Sequence, residues 1–297
     1  MKTVQVLLSS YNGEKYIERQ LDSIFGQKNV NLSCLIRDDG SNDRTVAIIK
    51  EYQKKEPRLK LIESNNIGWR KSFLKLLLES DSADYYAFSD QDDEWFDNKL
   101  VEGVTTLEMH DGKIPLLFHS ARIRKDSNGE HLQQMLPKPK SKINALVQEY
   151  CQGCSIIINK RARDILNEYD ASGEPGFDFW VGLICYYFGE IYYCNKPLFY
   201  HINHLDNTTR TGDRRACMQV RWKNMLAGKK VYNNPCKELL DGYSNYMSET
   251  DRKNVEKVLN YNKGIKGRLE LLLNPEFVRN TKSGTLLLKM CVLMGKY

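Results

Sequence analysis

Short apolar runs alternate with longer amphipathic ones over the first 89 residues. The apolar runs, which predict strands, cover residues 4–8, 32–37, 59–63 and 85–89, and the amphipathic patterns, which predict helices, cover 14–27, 43–55 and 69–79. A strand–helix alternation of this kind favours parallel strands with helices on both faces of the sheet. We therefore expect an α/β fold with a mostly parallel sheet, and 297 residues allow one large domain or one domain with an appendage.

The alternation of strand-like and helix-like segments becomes less regular after residue 97. After residue 213 the sequence becomes rich in basic residues. Patterns beyond residue 97 predict helices at 98–110 and 143–150, strands at 116–119, 156–158, 190–194 and 198–200, a hairpin turn at 127–129 and a helix that begins near Asp178. Residues 214–297 hold 17 Lys and Arg against 7 Asp and Glu, a net charge of +10, whereas the first 213 residues have a net charge of −4. We divide the chain into residues 1–213 and a basic helical extension, residues 214–297.

One predicted strand ends directly in an acidic cluster. Residues 85–89 are followed without a spacer by Asp90, Gln91, Asp92 and Asp93, which places the carboxylates at the carboxyl edge of the sheet, where open α/β folds bind ligands. Closely spaced carboxylates are either solvated or arranged around a cation, and carboxylate oxygens suit Mg²⁺ or Mn²⁺. An acidic loop that complements the dipole of the following helix is the alternative.

Two further loops are predicted at the same edge. Residues 9–13 follow the first strand, and residues 38–45, which include the adjacent carboxylates Asp38 and Asp39 and a glycine turn, follow the second. The glycine-rich sequence of dinucleotide-binding folds and the Lys-Ser or Lys-Thr of nucleotide triphosphatases are both absent from the first loop. The acidic loops together predict a pocket.

Composition and charge favour certain cellular compartments and certain classes of binding partner. Eight unevenly spaced cysteines favour a reducing compartment, and we expect Cys151 and Cys154 to be buried rather than metal-binding. We also expect a cytoplasmic protein, because the N-terminus enters a strand without a signal sequence. The extension, where Trp222 and leucines mix with basic residues, is either an interfacial helix for anionic lipid or a helix packed on the rest of the chain. Nucleic acid is not an expected partner, because the first 213 residues are acidic.

Four segments in order resemble the inverting glycosyltransferase family 2, which has the GT-A fold. They are residues 4–13, residues 38–45, residues 65–68 and the Asp90-x-Asp92 signature. The segment at 89–95 is similar to the corresponding sequence in the subgroup that includes bacterial rhamnosyltransferases of cell-surface polysaccharide synthesis. The resemblance covers residues 1–210 and implies a GT-A catalytic domain at 1–213 that binds a nucleotide-sugar.

The resemblance implies roles for the first loops. Asp39 would accept a hydrogen bond from the imide of uracil or thymine, while Tyr11 and the backbone at Ser9 would pack on the base and ribose. Asp38 would either contact the nucleoside or cap the turn that follows it. Arg70 would either reach a phosphate or remain an exposed helix-start arginine.

The resemblance also implies a metal site. Asp90 and Asp92 would hold Mn²⁺ or Mg²⁺ between the two phosphates of the donor, with Asp92 the more direct ligand. Gln91 would be the neutral spacer in contact with the donor. Asp93 would either hold the metal-binding residues in position or contact the sugar.

Two later residues complete the implied site. Asp178 would be the base that takes the proton of the acceptor hydroxyl, with a helix N-cap as the alternative. His204, which keeps a His-x-x-Asn spacing with Asn207, would contact the diphosphate. Relatives more often have arginine at the position of His201.

The resemblance predicts an inverting transferase that moves one sugar to a lipid-linked surface glycan. Rhamnose from dTDP-rhamnose is the favoured donor sugar, and galactose or an N-acetylhexosamine from a UDP donor is the alternative. A noncatalytic nucleotide-binding scaffold on the same fold is a further alternative.

Overall fold

A nine-stranded mixed sheet lies at the centre of the protein. The structure is a computed structural model that describes residues 1–171, 176–204, 214–227, 229, 231–232 and 234–297. The strand order is β3-β2-β1-β4-β8-β6-β9-β5, and β7 pairs with β6 outside this path. Strand residues alternate between two buried clusters, so that Leu7 enters one face while Val6 and Leu8 enter the other.

The first four strands form the parallel part of the sheet. Their order, β3-β2-β1-β4, and their parallel pairing confirm the arrangement expected from the strand–helix alternation. The elements are β1 (Thr3–Ser10), α1 (Ile17–Phe25), β2 (Asn31–Asp38), α2 (Thr45–Lys55), β3 (Leu59–Glu63), α3 (Trp69–Glu79) and β4 (Tyr85–Ser89).

Beyond β4 the sheet is mixed, because short antiparallel strands are interleaved with one parallel pair, β6 and β9. The elements are β5 (Asp93–Trp95), α4 (Lys99–Glu108), β6 (Leu116–Asp126), β7 (Gly129–Gln133), α5 (Lys142–Ala145), β8 (Ile157–Asn159), α6 (Lys160–Leu166), α7 (Phe177–Phe188) and β9 (Glu190–Ile202). The three-residue strand β5 pairs with β9, at a place where the sequence indicated only an acidic loop.

Three predictions in this half were wrong in extent. The strand expected at 116–119 continues to Asp126. The helix expected at 143–150 ends at Ala145, because the next residues turn away and Val147 and Gln148 bond to residues of the extension. The two late strands are one strand, β9, whose pairing jumps from Cys194 to Pro197. This β-bulge, next to a proline that has no N–H to donate, gave the appearance of a break in the sequence.

The described helices of the extension share a buried hydrophobic core with α7. They are α8 (Arg214–Leu226), α9 (Cys236–Tyr243), α10 (Glu249–Leu259), α11 (Ile265–Leu273) and α12 (Lys282–Leu293). Tyr243 and Leu287 belong to the same buried cluster as Trp180 of α7, and Asn144 Nδ2 donates to the carbonyl of Val278 at 2.6 Å. None of the helices in the described ranges is both long enough and apolar enough to cross a membrane.

Adjacent leucines of α12 provide a matched test of this packing. Leu287 is fully buried, whereas Leu286 is 56% exposed. We expect Leu287→Ala to lower the free energy of unfolding by about 2–5 kcal/mol, because it leaves a cavity, and Leu286→Ala to change it by less than about 0.5 kcal/mol. Urea unfolding of both variants measures the difference, and equal effects would contradict the burial of the inner face of α12.

Candidate active site

The loops that follow β1, β2 and β4 meet at the carboxyl edge of the parallel strands. Ser10 at the end of β1 is in register with Asp38 at the end of β2, and Leu8 is in register with Ser89 at the end of β4. The acidic loop that starts at Asp90 therefore lies beside the first loop, as the strand pattern predicted.

Gln91 links the acidic loop to the first loop. Its Oε1 accepts from the backbone N–H of Tyr11 at 2.8 Å, and its Nε2 donates to the carbonyl of Tyr11 at 3.0 Å. A Cβ at Gly13 would overlap the amide of Gln91, so the pairing needs glycine there. The Tyr11 side chain remains 45% exposed and is open to a ligand.

Asp38 and Asp39 are buried and form hydrogen bonds within the protein. Asp38 accepts from the hydroxyls of Ser10 and Ser41 and from the N–H of Ser41, at 2.6–2.8 Å, so the turn-capping contact weighed from the sequence is present. Asp39 accepts from the Arg37 guanidinium at 2.5 Å and from two N–H groups of the 67–68 turn at 2.9 and 2.8 Å. A carboxylate has about four lone-pair directions, which leaves Asp39 one for a ligand.

Ser9 and Arg70 both lie near the first turn of α3. The Ser9 hydroxyl shares a 2.6 Å hydrogen bond with the hydroxyl of Ser72. Arg70 is exposed, and its guanidinium lies 5.2 Å from the centroid of the Trp69 ring. Both roles implied by the resemblance stay predictions.

Burial and mutual repulsion shape the charges of the acidic cluster. Burial raises the pKa of Asp90 well above its usual value, and the charges of Asp93, Asp92 and Asp178 raise it further. Burial and Asp93 also raise the pKa of Asp92, against the opposing effect of His201 and His204. Burial alone would raise the pKa of Asp93, but the charge and hydrogen bond of His201 outweigh it and hold that pKa below its usual value.

Two histidines from the end of β9 face the cluster. His201 Nδ1 lies 2.8 Å from Asp93 Oδ1, and His204 Nε2 lies 2.8 Å from Asp92 Oδ2. The His204 ring also stacks on the Tyr16 ring at 4.1 Å between centroids. Sequence reasoning placed His204 here but missed the pairing of His201 with Asp93, which depends on the β5–β9 register. Asn207 lies outside the described residues.

The donor atoms at this edge fit a divalent cation. Asp93, Cys154 and His201 each offer one ligand atom, all within 4.8 Å of one another, and neither Asp93 Oδ2 nor His201 Nε2 has a hydrogen-bond partner in the described part of the chain. Asp90 and Asp92 lie beside this buried set with His204. Carboxylate oxygens, such as those of Asp90 and Asp92, suit Mn²⁺ or Mg²⁺, whereas imidazole and thiolate ligands favour softer ions.

A buried lysine lies behind the cluster. The side chain of Lys99 is fully buried, donates to the carbonyl of Cys154 at 2.8 Å and lies 3.3 Å from the centroid of the Trp95 ring. Burial lowers the pKa of Lys99 to about 7, against the opposing effect of Cys154, Asp93 and Asp90. Its charge therefore changes near neutral pH.

Asp178 lies on the first turn of α7 and interacts with Asp90. Burial and the charge of Glu149 raise the pKa of Asp178 to about 7. The preceding Phe177 ring stacks on Phe73 at 4.0 Å and lies 5.3 Å from Phe88 between centroids. Sequence reasoning missed Glu149, because no motif or cap distinguishes it in the 148–153 segment.

Comparisons with known proteins agree with this architecture. The Glycosyl transferase family 2 model matches residues 5–170. Over 105 residues the chain is 40% identical to the dTDP-rhamnosyl transferase RfbG of Shigella flexneri, which covers 34% of this chain and 36% of that protein. It is 29% identical to the putative glycosyltransferase EpsE of Bacillus subtilis over 172 residues, 56% of this chain and 59% of that protein. The chain thus spans about a third to three fifths of these curated relatives.

Solved structures share the fold at low sequence identity. Residues 1–349 of S. aureus TarS in complex with UDP-GlcNAc match with a TM-score of 0.58 and 16% identity, covering 100% of this chain and 93% of that one. The mannosyltransferase PcManGT of Pyrobaculum calidifontis, in complex with GDP-Man and Mn²⁺, matches with a TM-score of 0.52 and 14% identity, covering 99% and 88%. The curled mixed sheet with its flanking helices is therefore a GT-A fold.

The contact of Gly153 with Phe177 tests how Asp178 is positioned. A Cβ at Gly153 would overlap the Phe177 ring, whereas a Cβ at Gly112 would meet nothing within 4 Å. Because the Phe177 ring is packed on both sides, we expect Gly153→Ala to lower the free energy of unfolding by about 1–3 kcal/mol and to shift Asp178. Gly112→Ala is the control and should leave stability within about 0.5 kcal/mol. Thermal unfolding of the two variants checks this, and equal midpoints would contradict it.

Proposed function

Because the chain belongs to glycosyl transferase family 2, we propose that it is an inverting glycosyltransferase that moves one sugar from a nucleotide-sugar to a hydroxyl of a surface glycan. The observation that carries the proposal is the convergence of Asp178 with the acidic cluster of Asp90 and Asp92, whose charges interact although the residues come from distant parts of the chain. The loops that close this edge, with Tyr11 exposed and Gln91 joined to it, leave a surface for a nucleoside.

The favoured donor is dTDP-rhamnose and the alternative is UDP-galactose or a UDP-N-acetylhexosamine. The rhamnose donor is supported by the similarity to a dTDP-rhamnosyl transferase, and a UDP donor by the fold shared with a protein solved with UDP-GlcNAc. In this proposal Tyr11 and Ser9 contact the base and ribose, Asp39 uses its remaining acceptor direction on the ring imide, Asp38 shapes the turn and Arg70 reaches a phosphate.

Asp178 is the proposed base. As the acceptor oxygen attacks the anomeric carbon, its proton passes to the Asp178 carboxylate, the new C–O bond forms, and the bond to the nucleoside diphosphate breaks on the opposite face, which inverts the configuration. The raised pKa of Asp178, about 7, suits this role, because a base works best when its pKa lies near the working pH. Glu149 raises that basicity.

Asp90 and Asp92 are the residues proposed to hold Mn²⁺ or Mg²⁺. Burial and neighbouring carboxylates raise the pKa of both groups, and a bound cation would relieve this repulsion. When bound, the cation would stabilise the negative charge on the departing diphosphate. His204 beside Asp92 is placed to contact the same group, Gln91 keeps the loop closed on Tyr11, and Asp93 orients His201.

We place the catalytic domain at residues 1–213 and the basic extension at 214–297. The proposed acceptor is a lipid-linked glycan at the cytoplasmic face of a membrane, with the extension facing the anionic surface. This placement is supported by the concentration of Lys and Arg in the extension.

Replacement of the base should stop transfer and leave donor binding. We expect Asp178→Asn to lower kcat by at least about 100-fold, because a positioned base contributes about 10²–10⁴-fold, while nucleotide-sugars with Mn²⁺ still raise the melting temperature. For the wild-type protein, kcat/KM should rise with pH and level off above about 7, since the carboxylate must be deprotonated. A panel of dTDP- and UDP-sugars in the melting assay identifies the donor.

The same substitution has a stability readout that is independent of activity. The folded-state pKa of Asp178 is above its unfolded value, so this group costs stability as pH rises from about 4 to about 7. Asp178→Asn should therefore raise the melting temperature more at pH 8 than at pH 5. Asp241→Asn, at an exposed site in α9, is the control for both assays, and wild-type turnover of Asp178→Asn would exclude it as the base.

The metal site is tested by direct binding. We expect Asp92→Asn to weaken Mn²⁺ binding at least about tenfold in a calorimetric titration. Even mutation of a residue that only hydrogen-bonds to a metal ligand lowers metal affinity by about 10–100-fold. EDTA should abolish transfer by the wild-type protein, and added Mn²⁺ should restore it. Activity that survives EDTA would contradict the proposal, and loss of binding in Asp93→Asn but not in Asp92→Asn would move the ion to the Asp93, Cys154 and His201 set.

A further inference from the structure

A basic cavity lies between the extension and the loop that precedes α5. Its volume is about 450 Å³. None of the described side chains in its lining is acidic, and four are cationic: Lys140, Arg279, Lys282 and Lys289, with Asn280, Thr281, Thr285 and Leu286 between them. Lys140, Lys282 and Lys289 form no ion pair with a carboxylate in the described ranges, so their charge is available to an anion. Arg279 is largely engaged with the protein, because it interacts with the charge of Glu149 and donates to the carbonyl of Val147.

The outer face of α12 continues from this cavity. Lys282, Leu286, Lys289 and Leu293 follow one another at intervals of four, three and four residues, which places them on one face of the helix. Leu286 and Leu293 are 56% and 51% exposed, whereas Leu287, Leu288, Cys291 and Val292 face the core. One stripe therefore combines positive charge with exposed leucines, the pattern of a helix at a membrane interface.

Exposed apolar side chains also concentrate next to this stripe. Ile265, Leu269 and Leu273 lie at intervals of four on α11 and are 79%, 51% and 79% exposed. Arg268 of α11 donates to the carbonyl of Leu293 at 3.3 Å, so the two helices adjoin. Contiguous exposed apolar patches are uncommon on monomeric soluble proteins, and large ones mark sites that contact a protein or a membrane.

We propose that the cavity binds the phosphate group of an anionic membrane lipid while the leucines of α12 enter the lipid interface. The three lysines of the lining attract the negative charge of the phosphate, and Leu286 beside them suits the apolar chain that a lipid carries. A soluble phosphate would use the cations but would leave the leucines in water.

The cavity is connected to the active site through a short segment. Arg279 Nη1 donates to the carbonyl of Val147 at 2.5 Å, and the N–H of Asn280 donates to Gln148 Oε1 at 3.1 Å. The next residue, Glu149, raises the pKa of Asp178. Lipid bound in the cavity would hold the bilayer at a fixed distance from the acceptor side of the site. This step rests on the proposed function, whereas the lipid binding itself does not.

Vesicle co-sedimentation of the full chain, without donor or acceptor, tests the proposal. We expect binding to vesicles that contain phosphatidylglycerol, little binding to pure phosphatidylcholine, and affinity on the order of tenfold weaker or more in Lys282→Glu/Lys289→Glu. Leu286→Gln/Leu293→Gln should weaken binding without altering its salt dependence. The matched control, Lys55→Glu/Lys75→Glu, makes the same charge change at two exposed lysines of α2 and α3 and should bind as the wild type does.

Several outcomes would overturn the proposal. Unchanged binding in the α12 lysine pair, or equal loss in the control pair, would mean that general charge and not the cavity attracts the vesicles. Melting-temperature shifts with inorganic phosphate or glycerol phosphate but no vesicle binding would identify a site for a soluble anion. Donor-induced melting shifts, which should persist in all the surface variants, separate a failure of this proposal from a failure of the proposed transferase.

Discussion

The packing of Phe177 between Phe73 and Phe88 is the contact on which the site depends. Phe73 comes from α3, Phe88 from β4 and Phe177 from the start of α7. The Phe177 ring stacks on Phe73 and is tilted against Phe88, and the Phe73 and Phe88 rings meet edge to face. Because Phe88 lies two residues before Asp90 and Phe177 directly precedes Asp178, this apolar contact fixes the separation of two carboxylates that repel each other. Such packing resists displacement, since protein interiors have few voids.

The buried carboxylates at the carboxyl edge of the sheet lower the stability of the folded protein, and the surrounding residues reduce this destabilisation. Four carboxylates interact there, and burial opposes the ionisation of each of them. His201 and His204 offset part of this cost through their contacts with Asp93 and Asp92, and the buried Lys99 lies on the other side. Clusters whose pKa values are this perturbed concentrate at functional sites, where the folded state tolerates a local cost because the rest of the core supplies stability.

The extension contributes to both the core and the surface. The inner face of α12 belongs to the cluster that contains α7, while its outer face presents lysines and leucines to solvent. Packing and lipid contact, the two alternatives for this segment from its sequence, are thus compatible because a helix has two faces. The segment 147–149 joins the extension to Asp178, so the placement of the extension bears directly on the acceptor side of the site.

The amino-acid sequence by itself determined the parallel half of the sheet and the presence of acidic loops at its carboxyl edge, because hydrophobic periodicity and strand ends are local properties. It also indicated Asp178 at a helix start. Only the tertiary structure decided which of these polar groups are paired within the protein, as Asp39 is with Arg37 and Asp93 is with His201. It also decided that Glu149 lies close enough to Asp178 to raise the pKa of Asp178. The bulge in β9 and the short strand β5 could not be predicted from the sequence either, because strand register and side-chain partners are set by packing between segments far apart in the chain.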